Sequence, residues 1–146
     1  DLNWVQLMNA YSCTECGRCT SECPANQTGK KLSPRKIMMD TRDRLEKVSL
    51  NISKNKGEFV DDGDRLLDNY ISKEELWACT SCNACVEACP INIDPLSIIM
   101  DMRQYLIMEE SSAHPDLNNM MNNIENNGAP WPYNQLDREL WAQETK

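Results

Sequence analysis

The chain has 146 residues, 40 % of them apolar and only 6 % aromatic, with a single Phe. That length suits one domain with a modest core, which Leu, Ile, Met and any bound cofactor must fill. Fifteen Lys and Arg stand against 23 Asp and Glu, a formal charge of −8, and such a surface repels nucleic acid and anionic lipid headgroups.

No apolar run of 18 residues occurs, so no segment reads as a bilayer-spanning helix, and no signal peptide is visible. The sequence opens at Asp1 rather than Met, and a fragment or processed form of a longer chain is expected.

In chain order, Val5, Met8 and Tyr11 form a short apolar stripe that predicts a first helix. Cys13, Cys16, Cys19 and Cys23 follow, the last before Pro24. Ser33-Pro34 sets a capping residue before a Pro suited to the first helical position, and a helix with Ile37, Met38 and Met39 is predicted from there. Residues 49 to 64 read as a polar loop. Its Asp61, Asp62 and Asp64 lack the full ligand pattern of a Ca²⁺ loop and are expected to be solvated.

Ser72 to Glu75 is a capping box leading into Leu76 and Trp77. Cys79, Cys82, Cys85 and Cys89 follow, again ending before a proline, Pro90. Asp94-Pro95 opens the next helix, with Ile99, Met102 and Leu106 on one stripe. Met38, Met39, Met100 and Met102 keep helical spacing and are expected in the core. His114, before Pro115, is expected exposed at a helix entrance.

Beyond it, Leu117, Met120, Met121 and Ile124 face one way, and Asn118, Asn119, Asn122, Asn123 and Asn126 the other. Asn127-Gly128 ends that helix. Pro130-Trp131-Pro132-Tyr133 then reads as a stiff extended segment, and Leu136, Leu140 and Trp141 predict a last short helix. Strand signals are weak throughout, so the fold class is all-α.

The sequence repeats itself. Cys13-x2-Cys16-x2-Cys19-x3-Cys23-Pro24 recurs 66 residues later as Cys79-x2-Cys82-x2-Cys85-x3-Cys89-Pro90, with Tyr11 and Trp77 at the same offset. After the cysteines the offset becomes 61, where Pro34, Ile37, Asp40, Arg42 and Leu45 match Pro95, Ile98, Asp101, Arg103 and Leu106. The repeat is a duplicated unit of helix, cysteine loop and helix.

Three Cys at i, i+3 and i+6 can wrap one corner of a cuboidal cluster, and thiolates are the soft ligands that iron–sulfur clusters take. In two-cluster ferredoxins the fourth Cys, before Pro, ligates the other cluster. The expected sets are therefore crossed. One [4Fe–4S] cluster takes Cys13, Cys16, Cys19 and Cys89, and the other takes Cys79, Cys82, Cys85 and Cys23. Gly17 allows tight turning, and small Thr14, Thr20, Thr80, Ser81 and Ala84 let backbone N–H groups reach sulfur. Crossing staples the halves together and couples cluster binding to folding.

The alternatives fit less well. Structural zinc uses paired C-x2-C units with a long spacer. Disulfides would not demand a repeated spacing. One His cannot make a Rieske site, and methionine ligation has no support beyond helical spacing.

The motif Cys13-Thr-Glu-Cys-Gly-Arg-Cys-Thr-Ser-Glu-Cys-Pro24 with Thr28-Gly29 and Leu32-Ser33-Pro34 resembles the α-helical ferredoxin module. Trp77 to Pro90, with Asp94-Pro95 and Met102-Arg103, resembles its second half. Similar modules occur in iron–sulfur subunits of heterodisulfide reductase, glycolate oxidase, anaerobic glycerol-3-phosphate dehydrogenase and lactate utilisation. They also occur in membrane-associated proteins that link electron-transfer flavoprotein to quinone. Asn126-Asn127-Gly128-Ala129-Pro130-Trp131 and Arg138-Glu-Leu-Trp141 resemble the linker that follows the module and leads to Cys-Cys-Gly-repeat domains, although Pro132 stands where the family tends to have Gly. Succinate dehydrogenase iron–sulfur subunits have a similar helical domain with a three-iron cluster; here no ligand is missing.

The resemblance implies a dicluster α-helical ferredoxin domain over residues 1–110 and a C-terminal docking arm or linker over 111–146. It implies an electron-transfer module within a larger oxidoreductase, with a flavoprotein, a Cys-Cys-Gly-repeat domain or a quinone-reducing subunit as partner. The expected place is the cytoplasm, at the cytoplasmic face of the membrane through partners. Two other readings stand beside it, a subunit of a catalytic heterodisulfide-type reductase and a non-redox metal-stapled scaffold. No dinucleotide fingerprint and no nucleophile with a base marks a substrate site.

Overall fold

The computed structural model describes residues 2–144. It is 63 % helical, and among the described residues the only strand-like pairing is an isolated bridge between Leu67 and Ile71. The class is all-α. Two compact units divide between Tyr105 and Leu106.

In the first unit, α1 (Trp4–Ser12) leads to the first cysteine loop, with α2 (Arg18–Ser21) and α3 (Pro24–Gln27) inside and after it. The long α4 (Pro34–Lys54) follows. A connector with a kinked turn at Leu66–Tyr70 then leads to α5 (Lys73–Ala78), α6 (Ala84–Glu87) and α7 (Pro95–Met108), whose last turn crosses the division.

The starts are capped as chain chemistry requires, because the first N–H groups of a helix lack intrahelical partners. Ser33 accepts from the Lys36 N–H, Asp94 from the Ser97 N–H, and Ser72 with Glu75 closes the expected capping box. A second box, Asn3 with Gln6, starts α1.

The core draws equivalent residues from both halves. Ala10 and Leu76, Leu32 and Ile93, Ile37 and Ile98, and Met38 and Ile99 are all buried. Gln6 donates to the Asp101 carboxylate at 2.6 Å, tying α1 to α7. Lys36 donates to Asp40 at 2.8 Å, to Glu75 at 2.9 Å and to the Tyr70 carbonyl at 2.9 Å, tying α4 to the connector and α5.

Two expectations need correction. Residues 49–54 are helical, so the loop begins only at Asn55, which caps α4. The Asn51 side chain serves this longer helix by donating to the Val60 carbonyl. The Val5, Met8 and Tyr11 stripe lies in a helix as expected, on the exposed side of α1, whose buried residues are Gln6 and Ala10. Met100 is exposed and accepts from the Ser81 hydroxyl, whereas Met38 and Met102 are buried as expected.

The acidic loop is held by ion pairs. Arg44 grips Asp62 through two hydrogen bonds of 2.7 and 2.9 Å and holds its carboxyl down at about 2. Lys47 pairs with Asp64 at 3.5 Å.

The second unit holds α8 (Pro115–Asn127), a 3₁₀ turn (Gln135–Glu139) and α9 (Leu140–Glu144). His114 caps α8 from an exposed position, and Gly128 ends it with φ 66°. Among the described residues from 107 onward none is buried. Trp131, Tyr133, Leu136 and Trp141 are 57 to 85 % exposed.

Candidate iron–sulfur site

The two cysteine loops have the same backbone. Each turns through two left-handed residues, Glu15 and Gly17 in the first and Ser81 and Asn83 in the second. These positions match at the repeat offset of 66. Left-handed turns aim successive N–H groups into one concavity, a form that suits anionic sulfur centres. Glu15 and Ser81 carry a Cβ that opposes this conformation, so the loop geometry overrides local preference there.

Each loop is braced by the equivalent arginine of its own half. Arg42 of α4 forms an ion pair with Glu15. Arg103 of α7 donates to the Leu76 and Cys79 carbonyls and lies 5.1 Å over the Trp77 ring. The repeat contains both arginines, but no local signal marks what they hold. Thr20 adds another tether, sharing a hydrogen bond with the Ser33 hydroxyl and accepting from the Arg35 N–H.

The cysteines gather as follows. Cys13, Cys16 and Cys19 of the first loop and Cys85 and Cys89 of the second line one cavity together with Met38, Ile91 and Ile93. Burial pushes the Cys85 thiol up to about 11, with Cys79, Cys23 and Cys19 close enough to add to the rise. Burial also raises Cys19, opposed by the Thr20 hydroxyl and reinforced by Cys13 and Cys16. Cys82 is exposed and held low by the Ala84 N–H and the Thr80 hydroxyl. The Ser81 N–H donates to Cys79 sulfur at 3.4 Å, and the Ile93 N–H to Cys89 sulfur at 3.3 Å.

This donor set fits [4Fe–4S] clusters. The thiols are soft, they rim a concavity, and N–H groups point at sulfur, the hydrogen bonds that tune such centres. Each cluster, when bound, takes up and releases one electron.

Residues 12–93 match the 4Fe-4S dicluster domain family. The chain belongs to that family. As a dicluster protein with all eight cysteines it carries two [4Fe–4S] clusters, and it is an electron-transfer iron–sulfur module.

Nearly the whole chain, 99 %, is 32 % identical to the probable iron-sulfur-binding oxidoreductase FadF of Bacillus subtilis, covering 24 % of that protein. It is 30 % identical to the EtfAB:quinone oxidoreductase of Syntrophomonas wolfei, over 99 % of this chain and 23 % of that one. Against subunit C2 of the H(2)/formate:CoB-CoM heterodisulfide,ferredoxin reductase of Methanococcus maripaludis, identity is 27 % over 75 % of this chain and 47 % of the relative. The chain thus spans about a quarter of the first two relatives. Among the described residues no helix is long and apolar enough to cross a membrane.

Proposed function

We propose that this dicluster module relays single electrons inside a larger oxidoreductase, between a flavoprotein donor and a quinone- or thiol-reducing partner. The observation that carries the reading is the meeting of Cys13, Cys16 and Cys19 of one half with Cys85 and Cys89 of the other on one cavity. It supports crossed ligand sets, with Cys89 completing the set of Cys13, Cys16 and Cys19 and Cys23 that of Cys79, Cys82 and Cys85, an arrangement in which two electron sites lie side by side. The chain's own residues position sulfur and exclude water. Arg42 and Arg103 fix the loops, and Ile93, Met38 and Met102 supply apolar walls and core.

Anaerobically prepared protein is expected to hold about eight irons and about eight sulfides per chain, with a brown absorbance that dithionite bleaches. A colourless chain with stoichiometric zinc refutes the reading.

Residues 111–146 serve as the docking arm toward the partner, which holds the module at the cytoplasmic face of a membrane. The exposed aromatics of the second unit support this, since Trp and Tyr are the common anchors of interfaces. Truncation after Glu110 leaves α7 whole. Both clusters and their reduction are expected to survive, while electron delivery to the partner falls about tenfold or more. Loss of clusters in the truncated chain would assign the arm to the cluster domain instead.

A further inference from the structure

Of the positions beside the sulfur cavity at which the duplicated halves differ, one carries a cation in the first half and an apolar residue in the second. Arg35, in the first turn of α4, lines the cavity of Cys13, Cys16, Cys19 and Cys89, which Cys85 also lines. Its guanidinium lies over the loop between Cys16 and Cys19, where a methyl group on Gly17 would sit 4.0 Å from Nη1. The repeat offset puts Leu96 at the equivalent place in the second half.

Among the described residues Arg35 has no carboxylate partner, whereas Arg42, two turns further along α4, is neutralised by Glu15. Arg103, the cation at the second loop, is committed to the Leu76 and Cys79 carbonyls, whose partial negative charge at the end of α5 offsets it. Arg18 and Glu22 in the first loop have opposite signs, and Glu87 of α6 is the acidic residue within the second.

Burial differs too. Cys23 and Cys85, both of the second site, are each 7 % exposed, while Cys13, Cys19, Cys79 and Cys89 are half-buried and Cys16 and Cys82 are exposed. Hydrogen-bond donors do not separate the sites. Thr20 and Ile93 serve Cys19 and Cys89, and Ser81, Thr80 and Ala84 serve Cys79 and Cys82.

Reduction adds one negative charge to a site that is already anionic. A neighbouring cation favours that state, and burial without compensation disfavours it. We propose that Arg35 sets the order of reduction, making the site of Cys13, Cys16, Cys19 and Cys89 easier to reduce than that of Cys79, Cys82, Cys85 and Cys23. The relay then has a built-in direction, with the second site facing the donor and the first facing the acceptor. One electron passes from donor to acceptor in each transfer, and no bond or proton changes. This rests on the two-cluster reading and the crossed ligand sets.

The test uses cluster-loaded protein of verified iron and sulfide content. An anaerobic redox titration follows the paramagnetically shifted NMR signals of the ligand cysteine β-protons, which report each site separately. Signals of Cys13 and Cys16 are expected to change at higher potential than those of Cys79 and Cys82. Arg35→Gln is expected to weaken reduction of the first site about tenfold, or about 59 mV for a one-electron couple, and to leave the second unchanged. Arg35→Lys, which keeps the charge, retains at least half of the effect.

In about 1 M salt, where the screening length is about 3 Å, the wild-type gap should shrink. Equal shifts at both sites, no shift, or Lys behaving as Gln overturns the proposal while leaving the cluster reading intact. Should Arg35→Gln fail to load clusters, the wild-type protein decides. Reduction of the Cys79 site first, or a gap indifferent to salt, overturns the assignment. A chain that takes zinc in place of iron overturns the cluster reading and this proposal together.

Discussion

Cys23→Ala is expected to damage the site of Cys79, Cys82 and Cys85, 56 to 62 residues downstream, rather than the loop it follows in sequence. The physical ground is position. Cys23 is buried at the start of α3, and its charge is felt by the Cys85 thiol. It is absent from the walls of the cavity that Cys13, Cys16 and Cys19 share with Cys89. Removing it leaves an iron of the second site without its fourth thiolate, and a buried centre short of one ligand is prone to lose metal. Iron is expected to fall from about eight toward about four per chain. Cys16→Ala and Cys82→Ala serve as references, each with an exposed ligand of one loop removed. The electron paramagnetic resonance spectrum of reduced Cys23→Ala should match that of Cys82→Ala. A match to Cys16→Ala would mean that each half closes its own cluster, and the crossing would be wrong.

The cysteine framework is readable in advance because its ligand spacing is local. Positions i, i+3 and i+6 must sit on one turn of chain whatever packs around it. Helix starts are readable for the same reason, since Ser33, Ser72 and Asp94 act on N–H groups three residues away. What escapes is set by distant partners. Apolar spacing marks α1 as a helix, but the face that turns inward is set by distant partners. Gln6 is buried because its amide has a carboxylate to meet on α7, and no pattern within α1 reveals Asp101. The left-handed Glu15 and Ser81 run against the preference of both residues, and only the demands of the loop explain them. The roles of Arg42, Arg103 and Arg35 are likewise tertiary. The polar composition of residues 49–54 suggested a loop, yet helix propensity tolerates such residues, and Asn51 found a use by holding Val60.

Lys36→Met is expected to weaken the joint between the halves by about 2–3 kcal/mol, the range for losing charged hydrogen bonds in a partly buried site. Lys36 is itself 45 % exposed, which keeps the figure below that of a fully buried pair, but its partners are enclosed, with the Glu75 side chain 7 % and the Asp40 side chain 17 % exposed. Burial pushes the Glu75 carboxyl up, but the Ser72 N–H and hydroxyl and Lys36 outweigh it and hold the group below its ordinary value. Asp40 stands above its ordinary value, because burial exceeds what Lys36 returns. The signs therefore oppose. Glu75 contributes stability above its unfolded-state pKa that is lost as pH falls through its depressed folded value, whereas Asp40 is relieved by protonation. Without Lys36, both carboxylates face each other with no cation between them.

The temperature at which the brown absorbance disappears should drop by about 8 °C. The first half supplies the rescue. There the third residue of the α1 capping box is Gln6, uncharged, and it donates directly to Asp101, the repeat equivalent of Asp40. Glu75→Gln in the Lys36→Met background copies that arrangement. It removes one of the stranded charges, keeps an acceptor for the Ser72 N–H and offers Asp40 an amide donor. At least half of the lost stability should return. A single variant as stable as the wild type would show that Lys36 is a surface lysine with no part in the joint. A double variant no better than the single would show that lost packing of the Lys36 stem, rather than stranded charge, is the cost.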